Sequence, residues 1–186
     1  MASQTEICNL ALTYLGEERI SKITDPAEPA RKLNALWVSS VKALLEMHPW
    51  NFATRRATLG LLTETPDHKY ANFFQMPSDC IRIVRLNDRD AEYRIEGNKL
   101  ATDESEVEIE YIAYISDTAK YPPLFVEALA AKLGYELALS ITSDDGTWDR
   151  MEKLLTFKYS KATFSDSQQG TPAPLVRNRW IEERSR

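Results

Sequence analysis

The chain has 186 residues, 43% of them apolar and 27% charged, with a formal net charge of -5 and a pI near 5.2. This is the composition of one soluble globular domain, with or without an appendage, large enough to bury a core. The acidic balance argues against a protein that grips nucleic acid by neutralising phosphates, because that mode needs a basic surface.

Ser3 followed by Glu6 fits a capping box, and Ile7, Leu10, Ala11, Tyr14 and Leu15 form a helical stripe that Gly16 can close, which predicts a helix over about 3–15. A second helix is expected over about 26–48. Asp25 would be its cap, Pro26 its first-turn residue, and Leu33, Leu36, Trp37, Val41, Leu44 and Leu45 its apolar face. Pro49 holds His48 to extended geometry, so that helix must stop there. The next residues, "HPWNFATRRA", concentrate two aromatic rings and two arginines behind one of only two histidines.

From about 66 to 115 the pattern changes to short segments rich in β-branched residues and tyrosine, separated by turn signals such as "MPSD" and "EGN". The last of them, "EVEIEYIAYI", alternates: Val107, Ile109 and Tyr111 on one face, Glu106, Glu108 and Glu110 on the other. Pro122 and Pro123 open a third helix over about 123–141, whose small residues Ala128, Ala130, Ala131, Gly134 and Ala138 allow close helix approach. A fourth helix is expected over about 147–164, with Trp148, Met151, Leu155, Tyr159 and Ala162 on one side. The expected fold class is therefore α+β but mainly α: an antiparallel helical bundle with a small inserted antiparallel β unit, residues 1–164, and an extended arm.

That arm is residues 165–186. "SDSQQGTPAP" has almost nothing to bury and reads as a flexible linker, and "LVRNRWIEERSR" ends the chain with Arg177, Arg179, Trp180 and Ile181. Aromatic and arginine residues dominate interface hot spots, so this end is expected to dock on a partner or to fold back on its own domain.

Residue types that carry chemistry are sparse. No phosphate-binding glycine loop and no GxSxG elbow is present, and neither His48 nor His68 has a serine or cysteine companion in sequence. Cys8 and Cys80 lie far apart with no metal-ligand spacing around them, and are expected as reduced thiols rather than a disulfide or a metal site. No enzyme, cofactor or metal is expected. The start of the chain lacks the basic and apolar regions of a signal peptide, and no apolar run approaches the roughly 20 residues that span a bilayer, so no membrane association is expected either.

The ordered segments "LxxLGxxxI", "DPAE", "HPWNFA" with "RRA", "MPSDCIRIVRL", "IEGNKLATD", "VEIEYIAYI" and "PPLFVEALAAKLGYELA" span roughly residues 5 to 140. In that order they resemble the tail tubular protein A family, the head-to-tail adaptors or gatekeepers of short-tailed, podovirus-type phages. The resemblance implies a non-enzymatic structural protein of the virion neck, made in the host cytoplasm. It would assemble as a dodecameric ring beneath the portal protein, extend the channel through which genomic DNA passes without specific binding, and receive the tail nozzle protein. On that reading Arg177, Arg179, Trp180 and Ile181 are portal-docking residues and Glu106, Glu108 and Glu110 are channel-lining candidates. Arg55 and Arg56 are candidates for subunit contacts, and Pro49, Trp50 and Phe52 anchor the fold. A head-completion connector of a long-tailed phage, or a small DNA-binding regulator using the arginines, stays open as an alternative.

Overall fold

The structure, a computed structural model, describes residues 2–88, 90–141 and 145–170. Among these are four α-helices, α1 (Gln4–Leu15), α2 (Glu28–Met47), α3 (Pro123–Ile141) and α4 (Asp145–Ser167), and seven strands. The strands are β1 (Thr54–Thr58), β2 (Gly60–Leu61), β3 (Asn72–Gln75), β4 (Cys80–Leu86), β5 (Tyr93–Glu96), β6 (Lys99–Thr102) and β7 (Glu108–Ala113).

The expectation of a mainly helical bundle with a small β insertion is overturned. The strands form two antiparallel sheets, one of order β1-β7-β4 and one of order β2-β3-β6-β5, and the architecture is a full α+β fold. The β region also begins at Thr54, not near residue 66. The sequence conceals this because β1 is "TRRAT", whose two central arginines show no apolar alternation. Its strand geometry comes from pairing with β7, where Arg55 faces Tyr111 and Arg56 faces Glu110. In β5 every residue is exposed, so no burial pattern marks it.

The sheets are not an appendage to the helical core. Phe74 and Leu100, and Ile83, Leu86, Ile109 and Ile112, belong to the same continuous buried cluster as Ile7, Leu12, Leu33, Leu44 and Leu129. Strand β7 shows the expected alternation at Val107, Ile109 and Tyr111, then has Tyr111, Ile112 and Ala113 buried in succession. It is the central strand of its sheet, and at this end both of its faces are covered.

Local signals act as the chain dictates at most helix ends. Ser3 and Glu6 close a reciprocal capping box, and Gly16 at φ 81° supplies the left-handed cap of α1. Helix α2 differs: it is capped at Ala27 with no side-chain cap bond, and Pro29 lies in its first turn. The Asp25 carboxylate, expected as the cap, instead accepts the Lys22 backbone N–H at 2.7 Å and closes the preceding turn. His48 has φ -145° and ψ 145°, the extended geometry that Pro49 requires.

Helix α3 packs against α1, α2 and α4, and its alanines 128, 130, 131 and 138 are fully buried. A Cβ on Gly134 would lie 2.6 Å from Met151 Cε and 3.5 Å from the Ala11 carbonyl oxygen. The absent side chain is what lets three helices meet there. Among the described residues no helix is long and apolar enough to cross a membrane.

Candidate functional site

Two clusters gather the singled-out residues, one where the helices hand the chain to the sheets and one on the sheets themselves. At the first, Trp50 is 1% exposed. Its Nε1–H donates to the Leu44 carbonyl at 2.8 Å, so the indole is buried without leaving its donor unmet. Edge-to-face contacts join Trp50 to Phe125 at 5.0 Å, Phe52 to Phe125 at 4.8 Å and Tyr121 to Phe125 at 5.0 Å. Pro49 is itself exposed, so it acts through backbone geometry, while Trp50 and Phe52 act through packing.

Asp166, which the sequence places in the linker, completes this junction. Helix α4 continues to Ser167, and Asp166 is buried at 5% exposure. Its carboxylate accepts the Asn51 backbone N–H at 3.1 and 3.2 Å and the Asn51 Nδ2–H at 3.1 Å. Its backbone carbonyl accepts Asn51 Nδ2–H at 2.6 Å, and His48 Nε2 lies 3.2 Å from Oδ2. "HPWN" is thus a socket for the last turn of α4. Spacing could have exposed it: Met151, Tyr159 and Ala162 pack on the core, with Leu154 there in place of the expected Leu155, and Asp166 follows Ala162 by four residues on the same face. A cleft of about 210 Å³ opens beside it, lined by Trp50, Pro123, Phe125, Ala162 and Gln169. Arg177, Arg179, Trp180 and Ile181 lie outside the described residues.

On the sheets, the two candidate interface arginines are each engaged within the chain. Arg55 Nη1 lies 2.8 Å from Asp79 Oδ2, and Tyr111 Oη donates to Asp79 Oδ1 at 3.1 Å. Asp79 is the acid of "PSDC", so three sequence segments converge on one carboxylate. Arg56, although 79% exposed, donates to Glu110 at 3.0 Å, and Arg85 donates to the same oxygen at 2.8 Å.

The three glutamates of the alternating segment are therefore not equivalent. Glu106 precedes β7 and is exposed, and Glu108 is exposed within it. Glu110 is bracketed by two guanidiniums, with its side chain 15% exposed. Burial alone would raise the Glu110 pKa. The hydrogen bonds and charges of Arg85 and Arg56 outweigh it and hold the carboxyl below its ordinary value. A cleft of about 370 Å³ runs over this row between Arg56, Arg85, Asn87 and Glu108.

The thiols do not build a reactive centre. Both cysteines are free, and burial pushes Cys8 up to about 12 and Cys80 up to about 11, so neither is a thiolate at neutral pH. Among the described residues no three His, Cys, Asp or Glu side chains are grouped to hold a metal ion. No family model matches the chain, and no curated protein matches it in sequence.

Proposed function

We propose that this chain is a head-to-tail adaptor of a short-tailed phage: a structural virion protein that forms a dodecameric ring below the portal, extends the DNA channel and receives the tail nozzle. The observation that carries this reading is the convergence of the segments on which the resemblance rests. "HPWNF" and "PPLF" meet in one aromatic cluster, and "RRA", "PSD" and "EYI" meet at Asp79.

The surface electrostatics support the same role. Arg55, Arg56 and Arg85 are all paired with carboxylates, and the chain carries a net charge of -5, which suits a wall that phosphates slide past and weighs against the DNA-binding regulator. Glu106 and Glu108 are the exposed carboxylates suited to that wall, while the charge of Glu110 is compensated by its arginines. The segment after Gly170, with Arg177, Arg179, Trp180 and Ile181, docks the subunit on the portal, and many weak contacts around a ring add to a firm attachment.

The test is co-sedimentation of the purified protein with portal rings of the same phage, with the mass of the complex recorded. A mass increment corresponding to a dodecamer supports the proposal, and the chain truncated after Gly170 should then lose the association. Absence of binding, or full binding by the truncated chain, refutes the adaptor reading or the docking role respectively.

A further inference from the structure

Among the described residues four strands lie at sheet edges, and each carries some protection. Strand β1 carries Arg55 and Arg56, β2 is only Gly60–Leu61, and β5 carries Arg94 and Glu96 among its exposed residues. Charges and shortness are the usual protection of an edge against pairing with another chain. Strand β4 carries two arginines as well, Arg82 and Arg85, but among the described residues only Arg85 has a carboxylate partner. This strand is seven residues long and lies at the edge of the β1-β7-β4 sheet, with Ile81 and Val84 partly buried against the core and Ile83 within it. Two register shifts against β7 leave Ile81 and Val84 outside the ladder. Such bulges collect at sheet edges and at sites of function.

Along the first half of this edge runs a groove of about 410 Å³, lined by Met76, Ile81, Ile83, Ile95 and Asn98. Arg82 also lines it. Its Nε is buried and has no hydrogen-bond partner, and among the described residues its side chain has no ion pair. The contrast with Arg55, Arg56 and Arg85 is sharp, because each of those has a carboxylate within 3.0 Å. The Arg82 charge is felt at the Tyr159 phenol, but that hydroxyl donates to the Met47 carbonyl. A buried donor left unmade costs free energy that folding alone gives no reason to spend.

We infer that the β4 edge is a docking groove for an extended, acid-bearing segment of a protein partner, which adds as a strand and places a carboxylate on Arg82. Main-chain hydrogen bonds would supply the affinity, the apolar wall would hold alternate side chains, and the arginine would select the acid and set the register. The inference stands independently of the adaptor reading.

The experiment uses the full chain and a fluorescein-labelled set of acetylated octapeptides of valine and threonine, in which each position in turn is Glu or Gln, read by fluorescence anisotropy. At one register position the Glu peptide should bind at least about tenfold more tightly than its Gln partner, and Arg82→Met should erase the difference. N-methylation of alternate amides in that peptide should abolish binding. The melting temperature of Arg82→Met should equal or exceed that of the unmodified protein, since a buried unpaired donor has been removed. Three results would each overturn the inference: no position preferring Glu over Gln, equal binding by the N-methylated peptide, or a clear drop in the melting temperature of Arg82→Met, which would make the guanidinium a structural group. A concentration-dependent dimer that Arg82→Met dissolves would also overturn it, assigning the edge to a second copy of this chain.

Discussion

Replacing Asp166 with Ala tests whether the "HPWN" socket holds the end of α4 by specific polar contacts or only by packing. The carboxylate accepts the Asn51 backbone N–H, the Asn51 side-chain amide and the His48 ring at 3.1 to 3.2 Å, in a position only 5% exposed. Hydrogen bonds to a charged group are worth roughly 1.5–3 kcal/mol each, but these are long and share one acceptor, so a total near 3 kcal/mol is expected. For a chain of this size about 1 kcal/mol shifts the melting midpoint by about 2–4 °C, so Asp166→Ala should melt about 6–12 °C lower. Circular dichroism melts, with urea titrations to check that the denaturant slope is unchanged, measure this. Asp166→Asn keeps an acceptor oxygen and should recover part of the loss. Because Asn51 Nδ2 contacts both the carboxylate and the carbonyl of Asp166, Asn51→Ala should couple to Asp166→Ala by about 1 kcal/mol or more. A midpoint loss below about 2 °C, or additivity of the two changes, would refute the socket and leave only apolar packing.

Trp50→Ala should cost about 3–5 kcal/mol, since a fully buried indole and its contact with Phe125 are lost, whereas Trp50→Phe should cost markedly less; chemical denaturation separates the two. Gly134→Val should destabilise by about 2 kcal/mol or more, because even a Cβ would press on Met151 and approach the Ala11 carbonyl, and Met151→Ala in the same chain should relieve part of that cost. Glu110 has a folded pKa below its ordinary value of 4.5, so its ion pairs stabilise the protein above that value and the contribution disappears as pH falls through the depressed folded value. Glu110→Gln should therefore lower stability at pH 7 by only about 1 kcal/mol, given how solvated both arginines are, and should flatten the acid limb of a stability profile; an unchanged limb would show that other carboxylates set it.

How much of this was legible beforehand depended on how far apart the interacting residues lie. The helices were readable because their signals are local. The Ser3–Glu6 box, Gly16 at the end of α1 and Pro49 behind α2 act within a turn of the backbone they terminate. The inward stripes of α2 and α3 follow from the 3.6-residue period, and the aromatic anchor was visible because a helix-ending proline followed by Trp50 and Phe52 has few other uses. The extent of the sheets was not legible, since β1 and β5 gain their geometry from β7 and β6 across gaps in sequence, and their own residues are largely exposed. The arginines could not be assigned either. Whether Arg56 is free or bound depends on Glu110, 54 positions away, and whether Asp166 is linker or socket depends on Asn51, 115 away. Sequence alone determined the central helical turns of α1, α2 and α3 and the stops at Gly16 and Pro49. Only the tertiary structure decided which charges are neutralised and why Arg82 has a buried donor and, among the described residues, no acid partner, because a pairwise electrostatic contact is set by distance in space and not by spacing along the chain.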